Sequence, residues 1–561
     1  MASTPVLLPS QGLAYRALRI LAEIGLLILS VLLFTLSFPS IVSRWGWFPL
    51  AFVALVPIFP VIHRAGWLKT VLYGLFYGWA VYAVFNYWLT TFHPLAVVIV
   101  PAIYSFYFLI CFPLLKAADL LFPRYGYLVQ LLVWLGYEYL RSLGFLGYPY
   151  GVLGYTQYLF LPFIQLASIT GIWGVTALVV FPSAYLGNAL KEGPSRFLEG
   201  LRRQKREGIV YLAVFCANLI FGFIVLAGDF GAPDPVTGEA SVPQWKVALV
   251  QHNADTWKGG ILAYNRNVDT MIRLSEEALA EAPDTEVVVW SETCVVPGID
   301  WHTRYRTDPE RYQLVKRLTE YLSSKDVPFL FGNDDGQAVL DSNGSPVLDS
   351  AGNLIREDYN AVVHFDRGAI QQIYRKLHLV PFTEYFPYGH IMPRFYALLR
   401  ANDFHFWEHG TEATVFDVRG VKVSTPICFE DVFGDLSREF VNRGAEVIVN
   451  LTNDSWSGSI PAEMQHGAMA VFRAVENRRS LIRSTNAGFT CTVLASGKIT
   501  GWIEPFTESY LIGSVPVYMG KPTLYRLWGD LFGRLFTLAA AVLLLSGAGL
   551  ALARKVRVRK G

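Results

Sequence analysis

Three polar residues, each at the end of a predicted strand, carry the groups that acyl transfer needs. Glu292 follows the run in "TEVVVWSET", Lys376 lies in "YRKLHLVPFTEYFP", and Cys428 ends the run in "VKVSTPICFED". A thiol is mostly protonated at neutral pH and needs a base or a lowered pKa to become an effective nucleophile. A glutamate can take that proton, and a lysine cation can hold the negative charge that develops on a carbonyl oxygen. These residue types therefore suit an acyl-transfer site without a catalytic histidine.

Each of these residues also has an ordinary structural interpretation. A cysteine at a strand end is often a small buried hydrophobe. Glu292 can cap the next segment, and Lys376 can be a solvated loop charge. Cys294 and Cys491 are rival thiols, but their surroundings offer no comparable polar groups, so we interpret both as structural.

The elements that must position the three residues are those of an α/β domain between residues 240 and 520. Strands are predicted in "WKVALVQHN", "TEVVVW", "VPFLFGND", "VKVSTPIC", "AEVIVNLTND" and "RSTNAGFTCTV". Helices are predicted over residues 261–282, 431–443 and 462–479, and a hairpin turns at Asp366-Arg367-Gly368. Alternation of apolar strands with helices indicates buried sheets. Since ligands bind beyond the carboxyl ends of strands in such domains, we expect Glu292, Lys376 and Cys428 to converge.

The chain as a whole has the composition of a membrane protein. Of 561 residues, 53% are hydrophobic and 16% charged, against roughly 25% charged in a soluble domain. The net charge of +2 gives no argument for nucleic-acid binding. Cys111 and Cys216 lie inside apolar stretches and are interpreted as packing residues, and the five cysteines form no metal-binding pattern. Eight membrane spans are predicted, near residues 18–38, 46–62, 69–91, 94–115, 126–140, 170–190, 208–228 and 535–553.

The distribution of basic residues predicts the orientation of these spans. The loop "KEGPSRFLEGLRRQKRE" holds six basic residues, and the tail "RKVRVRKG" holds five without an acidic one. Short loops rich in lysine and arginine face the cytoplasm. If all eight spans cross, both termini are cytoplasmic and the α/β domain lies outside, which in a bacterium with two membranes is the periplasm. We therefore predict helices 1–7 over residues 1–228, the outer domain over 229–530, and a last helix with its basic tail over 531–561.

The motifs resemble the Glu-Lys-Cys signature of the carbon–nitrogen hydrolase (nitrilase) superfamily. Their order and spacing fit, as do "LVQHN", "NLTNDSWSG" and "QHGAMAVFRAVENRRSLIRSTNAG". Together with the membrane part and "YEYLRSLGFLGYPYGVLGYTQY", they make the chain similar to bacterial apolipoprotein N-acyltransferases. This resemblance implies an αββα sandwich for the outer domain, carried by a multi-span helical bundle in the inner membrane.

The resemblance also implies a reaction. Cys428 would take an acyl chain from a phospholipid, typically the sn-1 chain of phosphatidylethanolamine, as a thioester. The α-amino group of an apolipoprotein's N-terminal diacylglyceryl-cysteine would then accept the chain as an amide. Glu292 would be the general base and Lys376 the oxyanion stabiliser, and no cofactor or metal would take part.

Further positions match the family around its active site. Glu384 would hold the lysine, and Phe429 and Tyr150 stand where tyrosine and tryptophan are usual. The other positions predicted to line or support the site are Glu430, Asn360, Trp456, Trp257 and Tyr385.

The stretch over residues 391–407, "IMPRFYALLRANDFHFW", is rich in bulky apolar residues. We expect an arm that dips toward the membrane and admits lipid, with Phe395 and Leu399 in contact with substrate. The alternative is an ordinary core helix. "HFWEHG" lacks the glutamate of an HExxH zinc site. His378 and His466 are interpreted as structural hydrogen-bonding residues.

Two other functions remain open at the level of sequence. One is a membrane-tethered amidase that acts on a small substrate, although such a substrate needs neither eight spans nor an apolar arm. The other is a catalytically silent transport or assembly protein, against which the intact glutamate, lysine and cysteine argue. Soluble nitrilase relatives often assemble, but the membrane part favours a monomer.

Overall fold

The computed structural model describes residues 9–92, 94–228, 230–231, 240–349, 352–401 and 405–560. The chain divides into two compact units. The first comprises Met1–Gln157, Ile172–Ile220 and Asp530–Gly561, and the second comprises Tyr158–Gly171 and Phe221–Gly529.

Among the described residues, both units contain α-helices, whereas strands occur only in the second unit. The α-helices of the described residues are α1 (Pro9–Ser37), α2 (Ile58–Arg64), α3 (Trp67–Phe85), α4 (Leu89–Phe92), α5 (Ala96–Leu121), α6 (Gly126–Arg141), α7 (Leu161–Ile164), α8 (Ala167–Thr170), α9 (Ile172–Ala189), α10 (Phe197–Arg203), α11 (Lys205–Leu226), α12 (Gly260–Glu281), α13 (Ile299–Tyr305), α14 (Pro309–Ser323), α15 (Pro393–Ala401), α16 (Gly434–Asn442), α17 (Ile460–Asn477), α18 (Leu524–Trp528) and α19 (Leu531–Lys560). The strands are β1 (Gln244–Gln251), β2 (Val287–Val289), β3 (Phe329–Ala338), β4 (Arg356–Asp366), β5 (Ala369–Arg375), β6 (Val415–Val418), β7 (Val421–Ser424), β8 (Val447–Thr452), β9 (Ser480–Thr485), β10 (Cys491–Val493), β11 (Ile499–Trp502) and β12 (Ser509–Pro516).

Six helices within the described residues are long and apolar enough to cross a membrane. They lie in α1, α3, α5, α9, α11 and α19 and coincide with six of the eight predicted spans. The predicted span over residues 126–140 is the 16-residue α6. The one over residues 46–62 is instead a 3₁₀-helix, Phe48–Phe52, followed by α2. Proline explains this break, because Pro49 and Pro57 lack the N–H that a continuous helix needs. A bundle of eight spans and its orientation remain predictions.

The second unit contains two mixed sheets, each with six strands among the described residues. Their strand orders are β12-β1-β2-β3-β4-β5 and β11-β10-β9-β8-β7-β6. β1, β2 and β3 are parallel to one another, as are β7, β8 and β9. The parallel strands are apolar and buried, as expected where both faces of a sheet are covered. The predicted α/β domain is thereby confirmed.

The two sheets face each other between outer layers of helices. β1 contacts β9, and β10 contacts β12 across the interface. Helices α12 and α14 cover the first sheet through a core that includes Met271, Leu318 and Phe331. Helix α17 contacts both α16 and β9 of the second sheet. This is the αββα order that the resemblance implied.

Residues 158–171, which the sequence placed among the membrane helices, belong to the second unit. Gln165 donates from Nε2 to the carbonyl oxygen of Ser496 at 2.9 Å, and Arg478 Nη1 donates to Gln165 Oε1 at 2.7 Å. These bonds are buried, so the segment is part of the packing of the α/β unit.

Candidate active site

A buried lysine between two glutamates forms the centre of the site. Lys376, which follows β5 directly, is completely buried. Its Nζ lies 2.7 Å from Glu384 Oε1 and 3.3 Å from Glu292 Oε1. Glu384 is fixed in turn by the backbone N–H of Val380, which donates to its Oε2 at 2.8 Å. Two of the three residues expected to converge, Glu292 and Lys376, are therefore in contact, and Glu384 lies against the lysine.

The Glu292 carboxylate is held from both sides. Asn360 Nδ2 donates to its Oε1 at 2.7 Å, and the backbone N–H of Asn453 donates to its Oε2 at 2.6 Å. Gly332 on β3 allows the chain around Glu292 to approach closely, because a Cβ there would lie 2.1 Å from the Thr293 nitrogen. These contacts fix the position of the carboxylate.

Cys428 begins a 3₁₀ turn, Cys428–Val432, between β7 and α16. Its φ of 51° lies in the left-handed region, which a non-glycine residue adopts only when surrounding contacts impose it. Asn450 Nδ2 supplies such contacts by donating to the carbonyl oxygens of Pro426 and Cys428 at 3.1 and 3.2 Å. The residue remains partly exposed, as a reacting thiol must be.

Charge and burial set the protonation of these groups. Burial raises the pKa of Cys428 well above its ordinary value, and the negative charge of Glu292 raises it further despite Lys376. Burial alone would lower the pKa of Lys376, but Glu292 and Glu384 outweigh it and hold that pKa well above its usual range. The resting site therefore contains a neutral thiol and a lysine cation. Since the thiol keeps its proton at neutral pH, a base must remove it during attack.

Glu430, two residues after the cysteine, ties the turn that begins at Cys428 to the lysine segment. Its Oε2 accepts from the Ile427 N–H at 2.7 Å, and its Oε1 accepts from the N–H groups of Leu377 and His378 at 2.7 and 2.9 Å. Tyr374 donates its hydroxyl to the same carboxylate at 2.9 Å. Burial raises the pKa of Glu430 despite these donors.

Aromatic residues from three segments lie near or beside this centre. Trp257 is 36% exposed, and its ring lies 5.3 Å from that of His405 and 5.5 Å from that of Trp407. The Trp407 N–H donates to the carbonyl oxygen of Glu384 at 2.8 Å, which connects this cluster to the candidate site. Trp456, also 36% exposed, follows β8 and Asn453.

Three further residues predicted for the site each pack against a different aromatic ring. Phe429 is half-buried, with its ring 5.1 Å from that of Phe433. Tyr385 follows Glu384 and lies 4.7 Å from the His409 ring. Tyr150 belongs to the first unit, where it stacks on Tyr148 at 4.9 Å.

The arm residues are distinguished by their exposure. Along residues 391–398, Ile391, Met392, Phe395 and Leu398 are 42–65% exposed, whereas Leu399 is only partly exposed. The described part of this stretch is therefore not an ordinary core helix. Leu398, which the sequence did not single out, is more exposed than Leu399 on the same helix.

The four remaining cysteines differ in their exposure to solvent. Cys294 and Cys491 are buried, and burial raises the pKa of both thiols above the ordinary value. Cys111 is buried, as expected of a packing residue. Cys216 is exposed on α11, so the interpretation of Cys216 as a residue packed inside the protein is wrong. Within the ranges that the structure describes, no group of three or more His, Cys, Asp or Glu residues could hold a metal ion.

The backbone N–H of Asn453 and the hydroxyl of Tyr374 are functional contacts that sequence reasoning missed. An amide group is present at nearly every residue, so no residue type signals that this one meets Glu292. Tyr374 lies two residues before Lys376 in "YRK", and only the partner carboxylate reveals its role.

Two family models together match most of the chain. Residues 30–185 match the model of the apolipoprotein N-acyltransferase N-terminal domain, and residues 246–521 match that of carbon–nitrogen hydrolases. The chain is 41% identical over 524 residues to "Apolipoprotein N-acyltransferase 1" of Treponema denticola, covering 91% of this chain and 94% of that protein. It is also 41% identical over 553 residues to the protein of the same name from Treponema pallidum, covering 96% and 98%. A protein of Geobacter metallireducens, "Apolipoprotein N-acyltransferase", is 30% identical over 552 residues, covering 94% and 95%.

Proposed function

The chain belongs to the apolipoprotein N-acyltransferase family, and on that premise we propose that it transfers a fatty acyl chain from a phospholipid to the N-terminus of lipoproteins. The donor is the sn-1 chain of phosphatidylethanolamine, and the acceptor is the α-amino group of a diacylglyceryl-cysteine. The product is a triacylated lipoprotein.

One observation carries this proposal. A completely buried lysine contacts two glutamates. Glu292 raises and Lys376 lowers the pKa of the partly exposed Cys428, so the charges of both residues act on the thiol. The same chain holds six helices, among its described residues, that are able to cross a membrane. An acyl-transfer centre combined with a membrane bundle fits substrates that carry fatty chains better than it fits a small soluble amide.

In the first half-reaction, Glu292 removes the Cys428 proton as the sulfur attacks the ester carbonyl carbon. The carbonyl π electrons move to oxygen, where the Lys376 cation stabilises the charge. The tetrahedral intermediate then collapses, the carbon–oxygen bond breaks, and the leaving alkoxide takes the proton from Glu292. A thioester on Cys428 and a lysophospholipid result.

In the second half-reaction, the neutral amine of the acceptor attacks the thioester carbonyl carbon. Glu292 accepts a proton from the attacking nitrogen, and the carbon–sulfur bond breaks. The thiolate recovers that proton from Glu292, so the enzyme returns to its resting state. Glu384 and Glu430 act as positioning residues, the first for Lys376 and the second for the backbone on both sides of the site.

The remaining predictions from sequence belong to the same proposal. Asn360 orients Glu292, and Trp257, Trp456, Phe429, Tyr385 and Tyr150 provide aromatic surface for the substrates. The enzyme is a monomer of the inner membrane, with cytoplasmic termini and residues 229–530 in the periplasm. It uses no cofactor.

The predicted arm over residues 391–407 provides the entry for lipid through its exposed first part, residues 391–401. Its exposed apolar side chains have no reason to face water, and each CH₂ buried in the bilayer contributes about 0.8 kcal/mol. Phe395→Asp together with Leu398→Asp should lower the rate of acylation by phosphatidylethanolamine vesicles at least tenfold and leave the melting temperature unchanged. Leu262→Asp, at a 77% exposed residue of α12, is the control. Unchanged lipid turnover in the arm variant would contradict the entry role.

The test of the reaction is intact-protein mass spectrometry after incubation with phosphatidylethanolamine and no acceptor. We expect a mass increase of one fatty acyl group, absent in Cys428→Ala and removed by hydroxylamine. Addition of a diacylated lipopeptide should discharge the adduct and yield the triacylated peptide. A folded enzyme that forms no adduct would favour the membrane-tethered amidase instead.

A further inference from the structure

Four buried charged residues outside the candidate site form a closed set of contacts, which we call the buried charge ring. They are Asp431, Asp454, His466 and Arg483, and each is at most 3% exposed. None takes part in the reaction proposed above. Because charged groups are costly to bury unless they are paired, four of them together require an explanation.

The ring is closed by direct contacts between its cations and its carboxylates. His466 Nε2 lies 2.8 Å from Asp431 Oδ1, and His466 Nδ1 lies 3.1 Å from Asp454 Oδ1. Arg483 bridges the same two carboxylates, at 3.4 Å from Asp431 Oδ2 and 2.8 Å from Asp454 Oδ2. Each carboxylate thus contacts both cations.

The two carboxylates are attached to the two segments that control the reaction. Asp431 belongs to the 3₁₀ turn that begins at Cys428. Asp454 directly follows Asn453, whose backbone N–H holds Glu292 Oε2 at 2.6 Å. The ring therefore joins the turn that carries the thiol to the loop that holds the base.

The balance of charge in the ring depends on His466. Burial and the neighbouring Arg483, whose Nη2 lies 2.7 Å from His466 Nδ1, would lower the pKa of His466, but Asp431 and Asp454 outweigh them and raise that pKa to about 9. With the histidine protonated, two cations match two carboxylates. Burial and the neighbouring Asp454 raise the pKa of Glu463 well above its ordinary value, which favours the uncharged form of this carboxyl. Without His466, the ring would retain one unbalanced negative charge.

The packing around the ring leaves little room for rearrangement. A Cβ at Gly488 would lie 2.3 Å from Glu463 Oε2 and 2.7 Å from Asp454 Oδ2. Asn486 accepts from the Asp454 N–H at 3.0 Å and thereby anchors the loop at a second point. A repulsion between Asp431 and Asp454 would therefore be relieved by movement of the two functional segments.

We propose that His466 and Arg483 are positioning residues that fix the distance between the Cys428 thiol and the Glu292 carboxylate through the two aspartates. This inference rests on the proposed acyl transfer, because it assigns Glu292 as the base for Cys428. It predicts that disturbing the ring slows acylation of the thiol without weakening the binding of the acyl donor.

The test uses p-nitrophenyl butyrate, a soluble ester whose reaction with Cys428 requires neither phospholipid nor lipoprotein. The burst of p-nitrophenol reports acylation in the full-length enzyme in detergent. His466→Gln removes one of the ring's two cations, and His466→Gln combined with Asp431→Asn restores neutrality with one aspartate facing Arg483. His302→Gln, a buried histidine of α13 outside the ring, is the matched control.

We expect the burst rate constant at saturating ester to fall at least tenfold in His466→Gln, with the half-saturating ester concentration unchanged. The double variant should recover to within threefold of the wild-type rate, and His302→Gln should match the wild type. A folded His466→Gln enzyme with the wild-type burst would overturn the proposal. So would failure of both ring variants to fold, because the ring would then serve the fold alone.

The outcome is separable from that of the proposed function. A wild-type enzyme that gives a Cys428-dependent burst but no phospholipid adduct would refute the lipid substrate and leave the ring testable. An enzyme that forms the phospholipid adduct but is indifferent to His466 would refute only the positioning role.

Discussion

Replacing Glu384 with glutamine isolates one carboxylate that touches the lysine but none of the reacting atoms. Glu384 Oε1 lies 2.7 Å from Lys376 Nζ, and its other oxygen accepts from the Val380 N–H at 2.8 Å. In the Glu384→Gln variant, the side chain keeps one acceptor oxygen, and its NH₂ group faces either Lys376 Nζ or the Val380 N–H, both of which are donors. Lys376 then shifts toward Glu292, which is the remaining carboxylate within 3.3 Å.

The expected size of this effect follows from the contact that is lost. A hydrogen bond to a charged group contributes about 1.5–3 kcal/mol, and the lysine is completely buried, so water does not replace it. Lost in the transition state, that energy corresponds to a rate reduction of about 10- to 150-fold. The ion pair of Glu292 with the displaced lysine also makes the base less available, which acts in the same direction.

The assay is single-turnover acylation of Cys428 by phosphatidylethanolamine, followed by intact-protein mass spectrometry. Glu412→Gln is the matched control, because Glu412 has a 71% exposed side chain and pairs only with Arg443 among the ion pairs of the described residues. We expect Glu412→Gln to acylate at the wild-type rate. A Glu384→Gln rate within twofold of the wild type would refute the view that this carboxylate positions the lysine.

Three other perturbations test the support of the site. Gly332→Ala places a Cβ 2.6 Å from Glu292 Cα, so acylation should be lost and thermal unfolding should show about 1–3 kcal/mol of destabilisation. Gly501→Ala, whose Cβ meets the Leu511 side chain at 3.3 Å, should destabilise the enzyme less. Equal destabilisation by the two variants would contradict the packing argument. Glu430→Gln turns an NH₂ group toward a backbone N–H, so melting curves in detergent should show about 1–3 kcal/mol of destabilisation and acylation should slow at least tenfold. Wild-type behaviour would rule out Glu430 as the residue that joins the Cys428 turn to the lysine segment. His466 has a pKa of about 9 in the folded state against an ordinary value of 6.5. The stability that its protonation contributes, about 3 kcal/mol, is therefore complete below pH 6.5 and is lost as the pH rises toward 9. The free energy of unfolding should depend less steeply on pH in His466→Gln, and parallel curves for the two enzymes would exclude this assignment.

The order of strands and helices was predictable from sequence because it depends on local patterns. Apolar runs that end in polar residues marked β2, β7 and β8, and the turn at Asp366-Arg367-Gly368 marked the β4–β5 hairpin. Six helices long and apolar enough to cross a membrane were equally predictable, since about 20 consecutive apolar residues suffice for each. The interrupted span over residues 46–62 shows the limit of this reasoning, because its hydropathy gives no sign of where proline ends a helix.

Glu292, Lys376 and Cys428 could be selected from sequence because their chemistry is a property of residue type, and Glu384 followed from its place in a known motif. The tertiary structure decided what surrounds them. The Asn453 amide on Glu292, the backbone donors on Glu430 and the buried charge ring all join segments that are far apart in the chain. Burial and partner choice depend on which segments the fold brings together. A residue type fixes the chemical group, but the packed chain fixes its distance, its charge balance and its access to water.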